Sequence, residues 1–245
     1  MNWEPSWLGK SYCEIFLVFG SREFGIDDLK EGIGWEDAKI RTVLSRLRKA
    51  GYLRRRGRGR YEALDPYQLI LSIANPEWES KIKQREYIPL ISKVLSCLLK
   101  RYENRLISAL LFGSVARGEA EKTSDLDLLI VVEGLPEKFT ERVAEVVEAL
   151  EPAREEKRRL WEESKIYVSI RPIPLHPTEA AIHQPLYLDL IHDAIVLLDR
   201  GFMSKILEKI KLRLRELGSQ KITLPDGRWY WRLKPGIRPG EVVEI

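Results

Sequence analysis

Cysteine, histidine and asparagine are scarce in this chain, and each shortage excludes something. The 245 residues contain two cysteines and three histidines. Neither Cys13 nor Cys97 has a neighbouring Cys or His at metal-ligand spacing, which argues against a disulfide framework and against a zinc site. Both lie in apolar helical patterns, so we predict two buried thiols in a cytoplasmic protein.

Long apolar runs are also missing. The first ten residues, MNWEPSWLGK, lack a basic stretch followed by an apolar core, and no run approaches membrane-spanning length. We therefore expect neither a targeting segment nor a membrane partner. Charge is abundant instead, with 41 Lys and Arg, 37 Asp and Glu and a net charge of +4. Many charged residues beside only three asparagines are typical of proteins from thermophiles.

The first quarter of the chain predicts three helices and a hairpin. Apolar spacing favours helices over 7–21, 26–31 and 35–50, and the third is amphipathic and basic. Gly51 ends it, and strands over 52–56 and 60–64 flank a Gly-Arg-Gly turn.

The stretch RTVLSRLRKAGYLRRRGRGRYEAL resembles the recognition helix and wing of winged helix-turn-helix domains, which would span residues 1–65. The resemblance implies binding to DNA, with the third helix in the major groove and the wing on phosphates. The expected contacts are Arg41, Arg46, Arg54, Arg55, Arg56, Arg58 and Arg60. RNA in place of DNA remains open, as does a solvated basic hairpin on a domain that binds protein.

The remaining chain alternates helices and strands and predicts an α+β fold. We assign 66–89 to a linker helix region, with one helical pattern over 78–102. Strands are predicted at 106–112, 125–132 and 165–173, and helices at 137–150 and 152–164. An apolar segment at 186–198, a helix at 202–217 and an aromatic hairpin at 221–233 follow.

One segment carries the residue types of phosphate chemistry. In LLFGSVARGEAEKTSDLDLLIVV, Gly113 permits a sharp turn, and the Ser114 hydroxyl and nearby amides can donate to phosphate oxygens. Asp125 and Asp127 point to the same face of a strand, at a spacing from which both reach one Mg²⁺. The pattern predicts an anion seat beside a metal site.

Gly-Ser, Arg-Gly three residues on, and Ser-Asp-x-Asp opening an apolar strand together resemble the signature of the DNA polymerase β nucleotidyltransferase superfamily, especially its minimal prokaryotic members. The resemblance covers about 90–175 and implies a mixed β-sheet flanked by helices. It implies transfer of a nucleoside monophosphate from a nucleoside triphosphate (NTP), with Mg²⁺ or Mn²⁺ as cofactor. The implied residues are Asp125 and Asp127 for catalysis and metal, and Gly113, Ser114, Arg117 and Ser124 for nucleotide.

The same superfamily places a third carboxylate on a later strand. The corresponding strand here carries Tyr167, Ser169 and Arg171 on its polar face and no acidic residue. Without that group, a second metal ion would be held poorly and the acceptor would lack an adjacent base. Glu163 could substitute, the acceptor could bring its own base, or the domain could bind nucleotide without turnover.

Residues 176–245 resemble an extension of archaeal minimal nucleotidyltransferases. His183 and His192, with Asp189 and Asp193 nearby, could be acid and base groups or ordinary helix-surface histidines. Three hypotheses follow: an enzyme acting on a nucleic-acid or protein acceptor, a non-catalytic DNA-binding regulator, and a toxin–antitoxin nucleotidyltransferase that acts on a HEPN partner. The oligomeric state is left open.

Overall fold

We describe the protein from a computed structural model, which places residues 6–182, 184–224 and 229–236. The chain divides into two compact units, Met1–Pro76 and Glu77–Ile245. The division falls within the 66–89 span that the sequence assigns to a linker region. His183 and residues 225–228, which fall within the hairpin predicted at 221–233, lie outside the described residues.

Unit 1 contains the three helices and the hairpin expected there, together with a short first strand and a fourth helix. Its elements are α1 (Ser6–Phe19), β1 (Glu23–Phe24), α2 (Ile26–Ile33), α3 (Asp37–Lys49), β2 (Leu53–Gly57), β3 (Arg60–Ala63) and α4 (Pro66–Ala74). The strands form an antiparallel sheet in the order β1-β3-β2. Gly34 closes α2 in the left-handed conformation, and Asp65 caps α4 by accepting hydrogen bonds from two backbone amides.

A single apolar core joins these elements. Ile40, Val43, Leu44 and Leu47 all lie on one face of α3 and are buried, as the 3.6-residue period predicts. The buried Tyr12 hydroxyl donates to the Leu64 carbonyl at 2.7 Å. The opposite face of α3 is left to its basic side chains.

Unit 2 is a four-stranded mixed sheet with helices packed on it. Its helices are α5 (Glu77–Lys81), α6 (Ile88–Tyr102), α7 (Gly113–Arg117), α8 (Phe139–Ala149), α9 (Arg154–Ser164), α10 (Pro177–Ala180), α11 (Tyr187–Asp193) and α12 (Met203–Glu216). Its strands are β4 (Leu106–Phe112), β5 (Leu126–Val132), β6 (Ile170–Leu175), β7 (Ile195–Asp199), β8 (Gln220–Thr223) and β9 (Trp229–Arg232). Short 3₁₀ turns cover Arg85–Tyr87, Glu103–Arg105 and Glu151–Ala153.

The strand order is β6-β5-β4-β7, with β5 and β6 parallel and the other pairs antiparallel. Strands β8 and β9 form a separate hairpin. Every residue of β5 is buried except Asp127, which is half-buried. Asp127 is therefore the polar side chain of β5, and it is the second residue of the strand.

Both faces of the sheet are covered. Leu110, Leu129 and Val131 share a core with α11 and α12 on one face. Leu128 and Ile130 alternate with them and are fully buried on the other face, where α6 packs on β4. Because β7, α11 and α12 belong to this core, the segment after 176 is built into the same unit.

Three expectations were wrong. The helical pattern over 78–102 is broken into α5 and α6, with Pro89 in the first turn of α6, where proline is tolerated. The strand predicted at 165–173 begins only at Ile170, and its Pro172 and Pro174 suit the sheet edge it occupies. Cys13 is exposed, whereas Cys97 is buried as predicted. None of the helices in the described part of the chain has the length and hydropathy to cross a bilayer.

Candidate functional site

The centre of the site is a contact between a glycine and a carboxylate. Strand β4 pairs with β5 so that Phe112 lies opposite Asp127, and Gly113 follows at once with a φ of +76°. A Cβ atom on Gly113 would meet Asp127 Oδ2 at 2.3 Å. Glycine is required at position 113 for two reasons. The backbone is left-handed there, and the Asp127 carboxylate occupies the space that a side chain would need.

Ser114 is the second residue of α7, a helix of five residues. Its side chain is half-buried, and its hydroxyl makes no hydrogen bond within residues 6–182, 184–224 and 229–236. Gly118 ends the helix at a φ of +73°, and Glu119 N donates to Ser114 O at 2.9 Å. A tight turn therefore presents an uncommitted hydroxyl beside the Gly113 backbone.

Two residues before α6, Lys83 and Gln84, bind the backbone of this turn. Lys83 Nζ donates to the Arg117 carbonyl at 2.8 Å. Gln84 makes a two-way pair with the Ala120 backbone, donating at 2.9 Å and accepting at 3.0 Å. Because both side chains bind backbone atoms, they fix the loop without occupying its polar face. No sequence motif marked them.

Ser124 closes the turn that leads into the carboxylates. Its hydroxyl accepts from Glu121 N at 2.8 Å, and its own amide donates to Glu121 O at 3.1 Å. The hydroxyl can still donate outward. The structure thus shows a turn-closing role for Ser124, and contact with nucleotide stays a prediction.

Asp127 is held in an environment that disfavours its charge. Burial raises the pKa of its carboxyl, and the neighbouring Asp125 charge raises it further, while Arg171 and Arg117 act in the opposite direction. Two carboxylates that repel each other in a partly buried place are stabilised by a cation.

Asp125 has a cationic partner that the sequence did not assign to the site. Arg171 Nη2 lies 2.9 Å from Asp125 Oδ2, and the parallel register places Arg171 beside Asp127. Strand β6 carries no acidic residue. Glu163, the suggested substitute, is exposed near the end of α9. Alternation had marked Arg171 as polar, but only the register shows which carboxylates it faces.

Arg117 links the turn to α11. Its Nε lies 2.8 Å from Glu119 Oε2 and its Nη1 lies 3.7 Å from Asp193 Oδ2. Burial, followed by the charge of Asp193, raises the pKa of Asp189 on the same helix. Arg117, which the sequence predicts to contact phosphate, therefore already pairs with two acidic side chains.

His192 stacks on Trp231, with 5.2 Å between the ring centroids, which favours a packing role for this histidine.

The residues present fit one divalent cation and fit two poorly. Asp125 and Asp127 supply two oxygen ligands of the kind Mg²⁺ and Mn²⁺ prefer, and the raised pKa of Asp127 marks a pair that a cation would relieve. In the described part of the chain, no cluster of three or more Asp, Glu, His or Cys could hold a metal without further ligands. A nucleotide would have to complete the coordination.

The arginines of unit 1 are distributed among different environments. Arg56 and Glu62 form a buried ion pair, with 8% and 7% of their side chains exposed. Arg60 lies 2.8 Å from Asp28, and Arg55 donates to the Gly57 carbonyl at 3.0 Å. The full set divides by exposure: Arg41, Arg46, Arg55, Arg58 and Arg60 are exposed, Arg54 is half-buried, and the Arg56 side chain is buried.

Comparison with known proteins agrees with the site in unit 2. Residues 91–187 match a family model described as a nucleotidyltransferase domain. The matched residues include β4, β5 and β6 and therefore the Gly113–Asp127 contact, so this part of unit 2 is similar to nucleotidyltransferase domains.

A relative from Methanocaldococcus jannaschii is 27% identical over 125 residues, which cover 50% of this chain and 79% of that protein. Its name describes a provisionally assigned protein adenylyltransferase, MJ1305. Two crystal structures, a toxin–antitoxin with AMP-PNP and a mutant toxin–antitoxin MntA-HpeT, are 16% and 14% identical. Each match covers 52% of this chain and 92% of the other at a TM-score of 0.29, too low to define a shared fold.

Proposed function

We propose that unit 2 is a nucleotidyltransferase that moves a nucleoside monophosphate from an NTP to an acceptor and depends on a divalent cation. The observation that carries the proposal is the Gly113–Asp127 contact, with Asp125 two residues earlier, immediately before β5 begins at Leu126. It sets a glycine-serine turn directly against a pair of carboxylates.

The transfer would form one bond and break one. A nucleophilic oxygen of the acceptor attacks the α-phosphorus of the NTP, the bond from that phosphorus to the bridging oxygen breaks, and pyrophosphate leaves with the electron pair. The acceptor proton passes to solvent or to a base that the acceptor supplies, since β6 offers no carboxylate.

Each group of the chain would have a positioning or electrostatic task. Ser114 and the backbone after Gly113 would donate to phosphate oxygens, and Arg117 would add a cation at the end of α7. Asp125 and Asp127 would hold Mg²⁺ or Mn²⁺. When bound, such an ion neutralises phosphate charge and orients the triphosphate.

We further propose a protein acceptor and an adenylyl group. The name of the M. jannaschii relative supports this proposal. A HEPN partner, as in toxin–antitoxin systems, is one protein acceptor within it. Nothing in the described residues selects adenine over another base, so all four NTPs belong in the test.

The test follows label from [α-³²P]NTP into protein, with pyrophosphate release measured in the same samples. We expect both products from wild type with Mg²⁺ and a loss of roughly 1000-fold in Asp125→Asn/Asp127→Asn. Nucleotide binding without release would favour the second candidate, a nucleotide-binding regulator, which the absence of an acid on β6 supports. Release that persists in the double variant would exclude the proposed site.

For unit 1 we propose a winged helix-turn-helix domain that binds duplex DNA and guides unit 2. The order of three helices and a hairpin, the sheet order β1-β3-β2 and the basic face of α3 support it. The exposed Arg41, Arg46, Arg55 and Arg58 are proposed to contact phosphates. We leave out Arg60, which is exposed but paired with Asp28, and Arg54, which is half-buried. We leave Arg56 out because its guanidinium is buried against Glu62.

A further inference from the structure

On the strand where the superfamily resemblance places a third carboxylate, Arg171 takes a defined position beside Asp127. Parallel pairing of β5 with β6 sets Asp127 opposite Arg171, so both lie at the same level of adjacent strands. The guanidinium turns to Asp125, with 2.9 Å between Nη2 and Oδ2. One arginine thus faces both carboxylates of the site.

We expect this arginine to contribute little to the stability of the fold. Its side chain is 68% exposed, and exposed ion pairs contribute little to stability. Strand β6 is held through backbone pairing with β5 and through buried Leu175 at its far end. The placement of Arg171 therefore has its main effect on the electrostatics of the carboxylates.

The charges around the pair indicate what that effect is. Asp125 and Asp127 bring two negative charges, and Arg171 forms an ion pair with Asp125 and lies beside Asp127 on the neighbouring strand. A guanidinium within ion-pair distance of Asp125 competes with any metal ion for that oxygen. It also provides a fixed positive charge at the place where a second metal ion would need its own carboxylate.

We infer that Arg171 stands in for the second metal ion, so that the site holds one divalent cation and uses the guanidinium as its other positive charge. The inference rests on the proposed function, because it concerns the same carboxylates. In the free protein Arg171 weakens metal binding by occupying Asp125. With nucleotide bound, its planar N–H groups are available to a phosphate oxygen, which guanidinium binds well.

The test measures the affinity of the protein for metal ions and the number of ions it binds. Mn²⁺ alone is titrated into the full-length protein and followed by electron paramagnetic resonance. Relative to wild type, we expect Arg171→Gln to bind Mn²⁺ roughly threefold to tenfold more tightly, because a competing cation is removed. Arg171→Lys, which keeps the charge, should stay near wild type. Arg154→Gln removes an arginine from an exposed ion pair with Glu151 and serves as the matched control.

Ion number is read from anomalous diffraction of crystals soaked with Mn²⁺ and α,β-methylene-ATP. Wild type should show one ion at the carboxylates, and Arg171→Asp, which supplies the missing acid, should show two. Two ions in wild type, or unchanged Mn²⁺ affinity in Arg171→Gln together with one ion in Arg171→Asp, would overturn the inference.

A third variant separates this inference from the proposed function. If Asp125→Asn/Asp127→Asn abolishes Mn²⁺ binding while the Arg171 variants behave as wild type, the metal site stands and the role of Arg171 fails. If the double variant binds Mn²⁺ as wild type does, the metal site and the role of Arg171 both fail.

Discussion

The two units each concentrate charge, but they use it differently. At the start of β5, two carboxylates lie close together, and burial and mutual repulsion raise the pKa of Asp127. On the hairpin of unit 1, arginines crowd within seven positions, yet Arg56 is buried with Glu62 and Arg60 is paired with Asp28. The pKa of Asp127 is raised even though Arg171 pairs with Asp125, whereas two arginines of the hairpin are each paired with an acid of unit 1.

The same contrast exists between two aspartates of a single sheet. Asp199 at the end of β7 accepts hydrogen bonds from the Ser108 hydroxyl at 2.5 Å and from Met203 N at 3.1 Å and Ser204 N at 3.0 Å. Burial alone would raise the pKa of Asp199, but these donors outweigh it and lower the pKa. Asp127 is about as buried and has a raised pKa. Donors therefore separate a structural carboxylate from a candidate catalytic one.

The largest expected effect tests how tightly the carboxylate cluster is built. Gly113→Ala should lower nucleotidyl transfer roughly 1000-fold, because the new methyl group must displace the Asp127 carboxylate. The control is Gly201→Ala, also at positive φ but with its nearest contact at 3.9 Å. It separates backbone strain from the contact, and equal losses of transfer in both variants would contradict the assigned role of Gly113.

The next effect tests whether buried arginine is structural. Arg56→Ala should destabilise unit 1 by about 2–3 kcal/mol, because it removes the guanidinium that pairs with the Glu62 carboxylate in a buried place. Arg58→Ala removes the same charge from an exposed position and should change stability by less than about 0.5 kcal/mol. Chemical denaturation of the two variants measures both values. Equal free energies of unfolding for the two variants would show that Arg56 contributes no more to stability than an exposed arginine does.

A smaller effect tests the structural aspartate through pH. Asp199→Ala should cost about 2 kcal/mol at pH 7, since a hydroxyl and backbone amides lose their acceptor. The lowered pKa stabilises the folded state above the unfolded value of 3.8 and loses that effect as pH falls through the folded pKa. The difference in thermal stability between wild type and variant should therefore narrow as the pH falls below about 4. A difference in stability that is constant from pH 7 to pH 3 would be the contrary result.

The smallest effect tests the exposed arginines. In a mobility-shift titration with duplex DNA, Arg55→Gln/Arg58→Gln should lower the slope of log affinity against log salt by about 2, one phosphate contact per arginine. The control is Arg22→Gln, an exposed arginine of unit 1 outside the hairpin that binds the Phe19 and Val18 carbonyls. An unchanged slope in the double variant would remove the hairpin from nucleic-acid binding.

Local chemistry made much of the fold and the centre of the site predictable. Glycine before serine, and two aspartates opening an apolar strand, placed Gly113 and Asp127 in a turn and on a strand, and register then brought them together. Helix periods predicted the buried face of α3 and the whole of α12 within a residue or two. These features depend on spacing within one element, which a sequence shows directly.

The remaining features depend on pairing between elements. Strand β6 starts at Ile170 because its register with β5 begins at the Leu126–Ile170 pair, and before it the Ser169 carbonyl accepts from Leu126 N at 2.8 Å. The position of Arg171 beside the carboxylates therefore could not be read from the sequence. The burial of Arg56 had the same origin, since its partner Glu62 lies on the opposite strand of the hairpin. Charge counts do not reveal such partners.

The most direct measurement is calorimetric binding of α,β-methylene-ATP with and without Mg²⁺, on wild type and on Asp125→Asn/Asp127→Asn. The carboxylate pair at Gly113 predicts Mg²⁺-dependent binding by wild type and its loss in the double variant. Binding of equal affinity in both proteins, or in wild type with and without Mg²⁺, would contradict the assignment of a metal-dependent nucleotide site to this end of the sheet.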